Sequence, residues 1–246
     1  MFVCLMSVYR GYAGAANRCR PKKILVSVRS ADKSTALKAE HPDLIEIMDS
    51  NEDLVIQADI IFIGLLPVVA RSILPQLVFN ETKIVFSMMA AIDYVEIAGL
   101  LKQLTSSSAS LDNLVKTVPL PSTAYRCGPA VMYPPNPRLE AILSVVSTPI
   151  VCETEASMKP MISITGHISS FYELMNTSQH FVESHGVDAV TARKFVTSFY
   201  SSLAQGSEQS SESLEDLAEE AATPGGLNEQ VELLLTMGCY RESHLS

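Results

Sequence analysis

The chain has 246 residues, 47% hydrophobic and 18% charged, with 11 glycines and 13 prolines, which excludes collagen-like, coiled-coil and wholly disordered classes. That length is enough for one large domain or two modest ones. A net charge of -9 disfavours a dedicated nucleic-acid or anionic-membrane binder, and apolar runs such as 60–70 are too short to span a bilayer.

Five scattered cysteines without a CxxC pair argue against a disulfide framework and a structural zinc site, and favour a reducing cytoplasm. Residues 1–8 are apolar but lack the basic flank and cleavage site of a secretory signal. Before Asp32 there are arginines and lysines but no acid, which keeps a mitochondrial transit segment as the alternative.

In chain order, short apolar or β-branched runs at 24–28, 44–48, 60–66, 83–88 and 114–118 predict strands. The third is apolar throughout, as expected of a strand covered on both faces. Helical patterns lie between them at 33–40, 51–58, 68–77 and 93–104, and the alternation predicts a parallel α/β sheet. Two more strands are expected at 130–133 and 149–153, and 105–110 (TSSSAS) reads as a polar loop.

After residue 155 the texture becomes purely helical. Met158, Ile162, Thr165, Ile168, Tyr172 and Met175 recur every three or four positions, and Phe181 and Val182 continue the face. They predict one helix of about 30 residues, roughly 45 Å long. Asp188 is placed to cap a second helix with Ala192, Phe195, Val196, Phe199 and Leu203 on one face. A polar linker at 205–213, an acidic helix at 214–221 and a last helix with Leu227, Val231, Leu234 and Leu235 on its apolar face complete the reading. The expected division is a domain at 1–154 and a helical one at 155–246.

No GxSxG, HExxH or GxxxxGK[ST] pattern is present, and the five histidines have no metal-ligand spacing, so no metal is expected. Two segments carry chemistry. Arg29, Ser30 and Lys33 directly follow the first predicted strand, where a doubly wound fold meets the adenosine ribose of a dinucleotide. Arginine with a hydroxyl there suits a 2′-phosphate, so NADP(H) is favoured over NAD(H), although an ordinary solvated loop has the same composition. In Thr223-Pro224-Gly225-Gly226, Thr as N-cap and Pro at the first helical position start a helix. Paired glycines in that first turn either admit a carboxylate to the backbone amides or form a plain Pro-Gly turn.

These segments, in this order, resemble the pyrroline-5-carboxylate reductase family over most of residues 20–240. Ala58-Asp59-Ile60 through Gly64-Leu65-Leu66-Pro67 is similar to the family's strand ending in an A-V-K-P-like turn. Ser87-Met88-Met89-Ala90-Ala91 is similar to the next strand end, and Lys116-Thr117-Val118-Pro119 stands where the family has R-x-M-P-N. Ser163-Ile164-Thr165-Gly166 is similar to S-G-S-G, and ATPGGLNEQ to the S-P-G-G-x-T signature.

The resemblance implies an N-terminally incomplete Rossmann-type α/β domain, an all-α domain that builds a homodimer, and NADPH-dependent reduction of 1-pyrroline-5-carboxylate to proline. It assigns Arg29, Ser30, Lys33, Leu65, Leu66, Pro67, Ala90 and Pro119 to the cofactor. Thr165, Thr223, Gly225 and Gly226 go to the substrate, and Asn228 stands where the family has a threonine near the ring nitrogen. The chain departs from the family in lacking GxGxxG and a strand before it, so residues 1–19 read as the tail of the helix that follows the glycine loop. Leu66 replaces a lysine, Leu120 an asparagine, and His167 follows Gly166. A related NADP oxidoreductase with another substrate and a catalytically silent dimeric homologue are the alternatives.

Overall fold

The computed structural model describes residues 2–16, 19–101, 112–226, 228 and 230. The expected polar loop at 105–110 and the apolar face Leu227, Val231, Leu234 and Leu235 lie outside them. Two compact units result, Met1–Gly166 and His167–Ser246.

In the first unit a small or capping residue repeatedly turns the end of a strand into a helix. Helix α1 (Phe2–Ala13) leads to β1 (Ile24–Ser27), where the Ser27 hydroxyl accepts from Arg29 N before a 3-10 turn and α2 (Ala31–Glu40). After β2 (Ile45–Met48), Ser50 caps α3 (Asn51–Gln57) by accepting from Asp53 N at 3.0 Å. β3 (Ile60–Ile63) runs into α4 (Pro67–Ile73), whose leading proline costs no helical hydrogen bond. There follow β4 (Ile84–Ser87), α5 (Tyr94–Leu100), β5 (Leu114–Pro119), β6 (Pro129–Tyr133), α6 (Pro137–Leu143), β7 (Thr148–Val151) and α7 (Glu155–Ile164).

The strands form two sheets, β1-β2 and β3-β4-β5-β6-β7. All neighbours are parallel except β5 and β6, which run antiparallel. The parallel sheet expected from the alternation is therefore present, with one antiparallel pair within it. Parallel neighbours need a crossover of a dozen or more residues, whereas residues 120–128 carry only a short 3-10 turn (Pro121–Tyr125) and reverse the chain.

The larger sheet is covered on both faces. Ile61, Ile63 and Val85 pack with Val55, Ala70, Leu74 and Ile97 of the helices on one side. Phe86, Val115 and Met132 pack with Leu139 and Leu143 of α6 on the other. Helix α1 reaches both sheets. Ala13 clusters with Ile24 and Val26, and the Tyr12 ring lies 5.7 Å from Phe62, which stacks on Phe86. Gly11 lets α1 lie close against the 3-10 turn Pro121–Tyr125, because a Cβ there would meet the Thr123 carbonyl oxygen at 2.4 Å.

Helix α7 belongs to the first unit, with Met158 buried beside Val131 and Cys152, so the units divide at 166 while the change of composition falls at 154. The single helix expected from Met158 onward is interrupted. Thr165 donates its hydroxyl back to Ile162 O at 2.6 Å, and a 3-10 turn (Thr165–His167) with Gly166 at its centre precedes α8 (Ile168–Ser184).

In the second unit, Asp188 caps α9 (Ala189–Gln209) by accepting from Val190 N and Thr191 N, both at 3.1 Å. This helix runs through most of the expected linker, because Gln205 and Ser207 bond back onto Ser201 and Ala204 within it. Ser213 and Asp216 then form a reciprocal capping box for α10 (Leu214–Ala221). Helices α8 and α9 pack together through Phe171 against Tyr200 and the hydroxyls of Ser178 and Tyr200 at 3.1 Å.

Candidate functional site

The residues expected at the cofactor lie after the carboxyl ends of parallel strands. Arg29, Ser30 and Lys33 follow β1, Leu65, Leu66 and Pro67 follow β3, Ala90 follows β4, and Pro119 closes β5. Open α/β sheets bind ligands at that edge. Leu66 is exposed and caps α4, Ala90 is exposed in a turn, and Pro119 is buried.

A cleft of about 790 Å³ lies between β1 and β3. Arg29, Ser30, Lys33 and Leu65 line it together, while Leu66, Pro67, Ala90 and Pro119 do not. Ser27, Asn51 and Gly64 join that end of the cleft and were not singled out from sequence. The Ser27 hydroxyl sits 3.2 Å from Asn51 Oδ1. The signal for these residues is positional: Ser27 is the last residue of an apolar strand, and Asn51 opens the helix after β2. Among the described lining residues the one acid is Asp59, at the amino end of β3, so the carboxyl end of the cleft is cationic within a chain of net charge -9. That donor set can hold an anionic phosphate group.

Tyr9, from α1, also lines the cleft, and burial pushes its phenol up to about 12. Lys116 stands where the resembling family has an arginine, but it is engaged. Its Nζ donates to Glu155 Oε1 at 2.6 Å and to Ile92 O at 2.7 Å. The same carboxylate accepts from Tyr94 N at 2.9 and 3.0 Å, at the start of α5. This buried pair fastens α7 to β5 and α5. Burial, with the neighbouring charges of Tyr133 and Asp112, raises the Tyr94 phenol to about 12.

Of the expected substrate residues, Thr165 lies in the first unit with its hydroxyl committed to Ile162 O. Thr223, Gly225, Gly226 and Asn228 come together in the second. Thr223 does not cap a helix as expected. Its carbonyl accepts from Gly226 N at 2.8 Å, closing a tight turn in which Gly225 has a φ of 74°, and Gln230 N donates to Gly226 O. The left-handed conformation of Gly225 is one that glycine adopts without strain, which suits the tight turn after the proline. Asn228 Nδ2 donates to Ala221 O at 3.0 Å, leaving its second amide hydrogen for another acceptor. Among the described residues no group of three or more His, Cys, Asp or Glu is placed to hold a metal ion, and no helix is long and apolar enough to cross a membrane.

Residues 7–91 match the family model described as NADP oxidoreductase, coenzyme F420-dependent. No curated protein matches the chain in sequence. Among solved structures, the chain is similar to 1-pyrroline-5-carboxylate reductase from Streptococcus pyogenes, with 17% identity, TM-score 0.73, and coverage of 94% of this chain and 86% of that one. It is also similar to Plasmodium falciparum pyrroline carboxylate reductase with NADP bound, with 16% identity, TM-score 0.75, and coverage of 96% and 87%. A reductive aminase from Aspergillus terreus in complex with NADPH aligns over 98% and 84% at 12% identity and TM-score 0.52. The chain has the fold of the pyrroline-5-carboxylate reductases: a Rossmann-like sheet flanked by helices, followed by a helical region.

Proposed function

We propose that the chain is an NADP(H)-dependent reductase of cyclic imino acids, converting 1-pyrroline-5-carboxylate to proline. The observation that carries this reading is the convergence of Arg29, Ser30 and Lys33 on the carboxyl end of one cleft in a fold shared with pyrroline-5-carboxylate reductases. NADPH, when bound, supplies the hydride. Arg29 and Lys33 hold the adenosine 2′-phosphate and Ser30 adds a hydroxyl donor, while Leu65, Leu66 and Pro67 with Ala90 and Pro119 border the rest of the cofactor. Thr223, Gly225 and Gly226 receive the substrate carboxylate, because a turn without bulky side chains lets an anion approach the backbone amides. Thr165 flanks the substrate, and Asn228 gives its second amide hydrogen to the ring nitrogen. Reducing a bond that is already electrophilic asks for positioning more than for acid–base groups.

A second copy of the chain is the partner we assign to the helical unit, through the exposed Phe171, Phe181, Phe195, Phe199 and Leu203. The free Cys19, Cys127 and Cys152 suit a reducing, cytoplasmic setting, with the mitochondrial alternative open. The second reading is a catalytically silent dimeric relative, and what favours it is Leu66, which stands where the resembling family has a lysine.

Calorimetric titration with both cofactors tests the assignment. Arg29→Ala should weaken NADPH by about 10–100-fold and leave NADH unchanged, as expected for a lost charged hydrogen bond. Equal loss for both cofactors would overturn the role of Arg29, and no NADPH binding by the unmutated chain would favour the silent relative. A product assay with 1-pyrroline-5-carboxylate separates the proposed substrate from any other.

A further inference from the structure

Lys116 and Glu155 meet where three segments of the first unit converge. Glu155 opens α7, Lys116 is the third residue of β5, and the turn between β4 and α5 supplies the Ile92 carbonyl and the Tyr94 amide. Asp93 stands at the N-cap position of α5 but makes no side-chain cap bond. The Glu155 carboxylate, 61 residues further along the chain, supplies the acceptor that the first amide of this helix needs. The Lys116 ammonium closes the junction from the other side, donating to the same carboxylate at 2.6 Å and to Ile92 O at 2.7 Å. The Tyr94 phenol adds a bond to Leu114 O at 3.2 Å, and its ring meets Tyr133 edge-on at 5.3 Å.

Cohesion alone does not call for an ion pair here. The Lys116 side chain is 4% exposed and that of Glu155 20%. Taking both charges out of water offsets most of what their attraction returns, so apolar side chains of similar volume serve stability as well or better. Apolar packing already seats α7, with Met158 buried beside Val131 and Cys152 and Ile162 against them. What the pair adds is direction, because hydrogen bonds fix angle and register where apolar burial does not. The three segments are also those that carry expected site residues. Ala90 lies two positions before Ile92, Pro119 three after Lys116, and Thr165 ten after Glu155, at the far end of α7. That last separation is about 15 Å at 1.5 Å per residue.

We propose that Lys116 and Glu155 are positioning residues: their bonded pair holds the cofactor border at Ala90 and Pro119 and the substrate segment at Thr165 in one frame. They act through the backbone they fasten. The identity of the segments rests on the reductase reading, whereas their coupling rests on the geometry of the pair itself. A misplacement of about 1 Å between reacting groups costs up to about 100-fold in rate, so the frame matters more to turnover than to binding.

The test variant is Lys116→Met/Glu155→Gln, which removes both charges, keeps the volume and leaves an acceptor for Tyr94 N. Its melting temperature should stay within about 3 °C of that of the unmutated chain. Its kcat for 1-pyrroline-5-carboxylate should fall about 10–100-fold, while KM and the NADPH Kd hold within about threefold. Amide exchange without ligand should quicken about tenfold at 88–92 and at 162–166 together, with β1 and β2 unchanged. The control is Lys83→Met, which removes a second buried lysine of the unit, bonded to Ile56 O at 2.7 Å and Ala58 O at 2.8 Å. It should lower the melting temperature and leave kcat alone. Unchanged kcat in the double variant, or an equal loss of kcat in Lys83→Met, overturns the positioning role. Quickened exchange at only one of the two segments also overturns it, by making the pair a local fastening. Should the double variant not fold, Glu155→Gln alone carries the same expectations. An unmutated chain without turnover brings down the reductase reading, and the exchange result then decides the coupling by itself.

Discussion

The two units of this chain treat their apolar residues in opposite ways. In Met1–Gly166 the sheet side chains disappear completely: Val85, Phe86, Val115 and Met132 are all 0% exposed. In His167–Ser246 the described buried apolar side chains are Ala192 and Val196, while Phe181 is 66% exposed and Phe195 61%. Sheet and helices in the first unit cover each other, whereas a pair of packed helices leaves each with an outward apolar face. The first unit thus draws its stability from its own interior, and the second presents a surface that gains stability only when something lies on it.

Four changes would break or sharpen that contrast. The largest effect belongs to Glu155→Ala, which strands Lys116, 4% exposed, without its carboxylate and removes the acceptor at the start of α5. Breaking one side of a buried pair costs about 3 kcal/mol or more. Exchange-monitored urea unfolding should therefore register the loss across the first unit and leave α8 and α9 where they were; loss spread evenly over both units would contradict the division. Next comes Phe199→Glu, on the outward face of α9. It should weaken self-association by about 30-fold or more, as for a central aromatic anchor, read as a fall in mass by light scattering. An unchanged mass would remove that face from the interface.

Gly226→Val should raise the KM for the imine about tenfold, the loss of one modest interaction, while NADPH affinity holds. Its Cβ would meet Thr223 O at 2.8 Å, so the turn must yield where the carboxylate is assigned. An unchanged KM would make the turn purely structural. The smallest effect is on alkaline stability. The phenols of Tyr9 and Tyr94, both in the first unit, are raised from 10.0 to about 12. Unfolded, they ionise near 10 while the folded forms keep their protons. Stability is therefore whole below pH 10 and declines as pH rises toward 12. Thermal melts across that range, with tyrosinate absorbance, should show the first unit weakening; flat melts would mean that neither phenol is protected.

Much of this architecture was legible in the sequence because it rests on local pattern. The strands at Ile24–Ser27, Ile60–Ile63 and Ile84–Ser87 sit inside the predicted apolar runs, and Asp188 caps its helix as read. What the pattern hid was determined at a distance or by a single hydroxyl. Periodicity continues through Thr165 and Gly166, so nothing in it reveals that the helix gives way to a 3-10 turn where the Thr165 hydroxyl bonds back to Ile162 O. The polar run after Gln205 reads as a linker until its side chains are seen bonding back into the helix. The reversal of β6 was within reach, since 120–128 is too short to cross over. In the candidate site, Arg29, Ser30 and Lys33 were found because a strand end marks them, whereas the engagement of Lys116 depends on Glu155 and Ile92, far along the chain.

The missing side chain at position 11 has a consequence for lineage. Because a Cβ there would collide with the Thr123 carbonyl at 2.4 Å, and Val146 stands at 3.1 Å, a side chain at position 11 requires the turn Pro121–Tyr125 to shift. Any sequence of this architecture with a larger residue at that position must have a remodelled turn. The pair therefore serves as a two-site fingerprint by which descendants of this packing can be told from mere fold-mates.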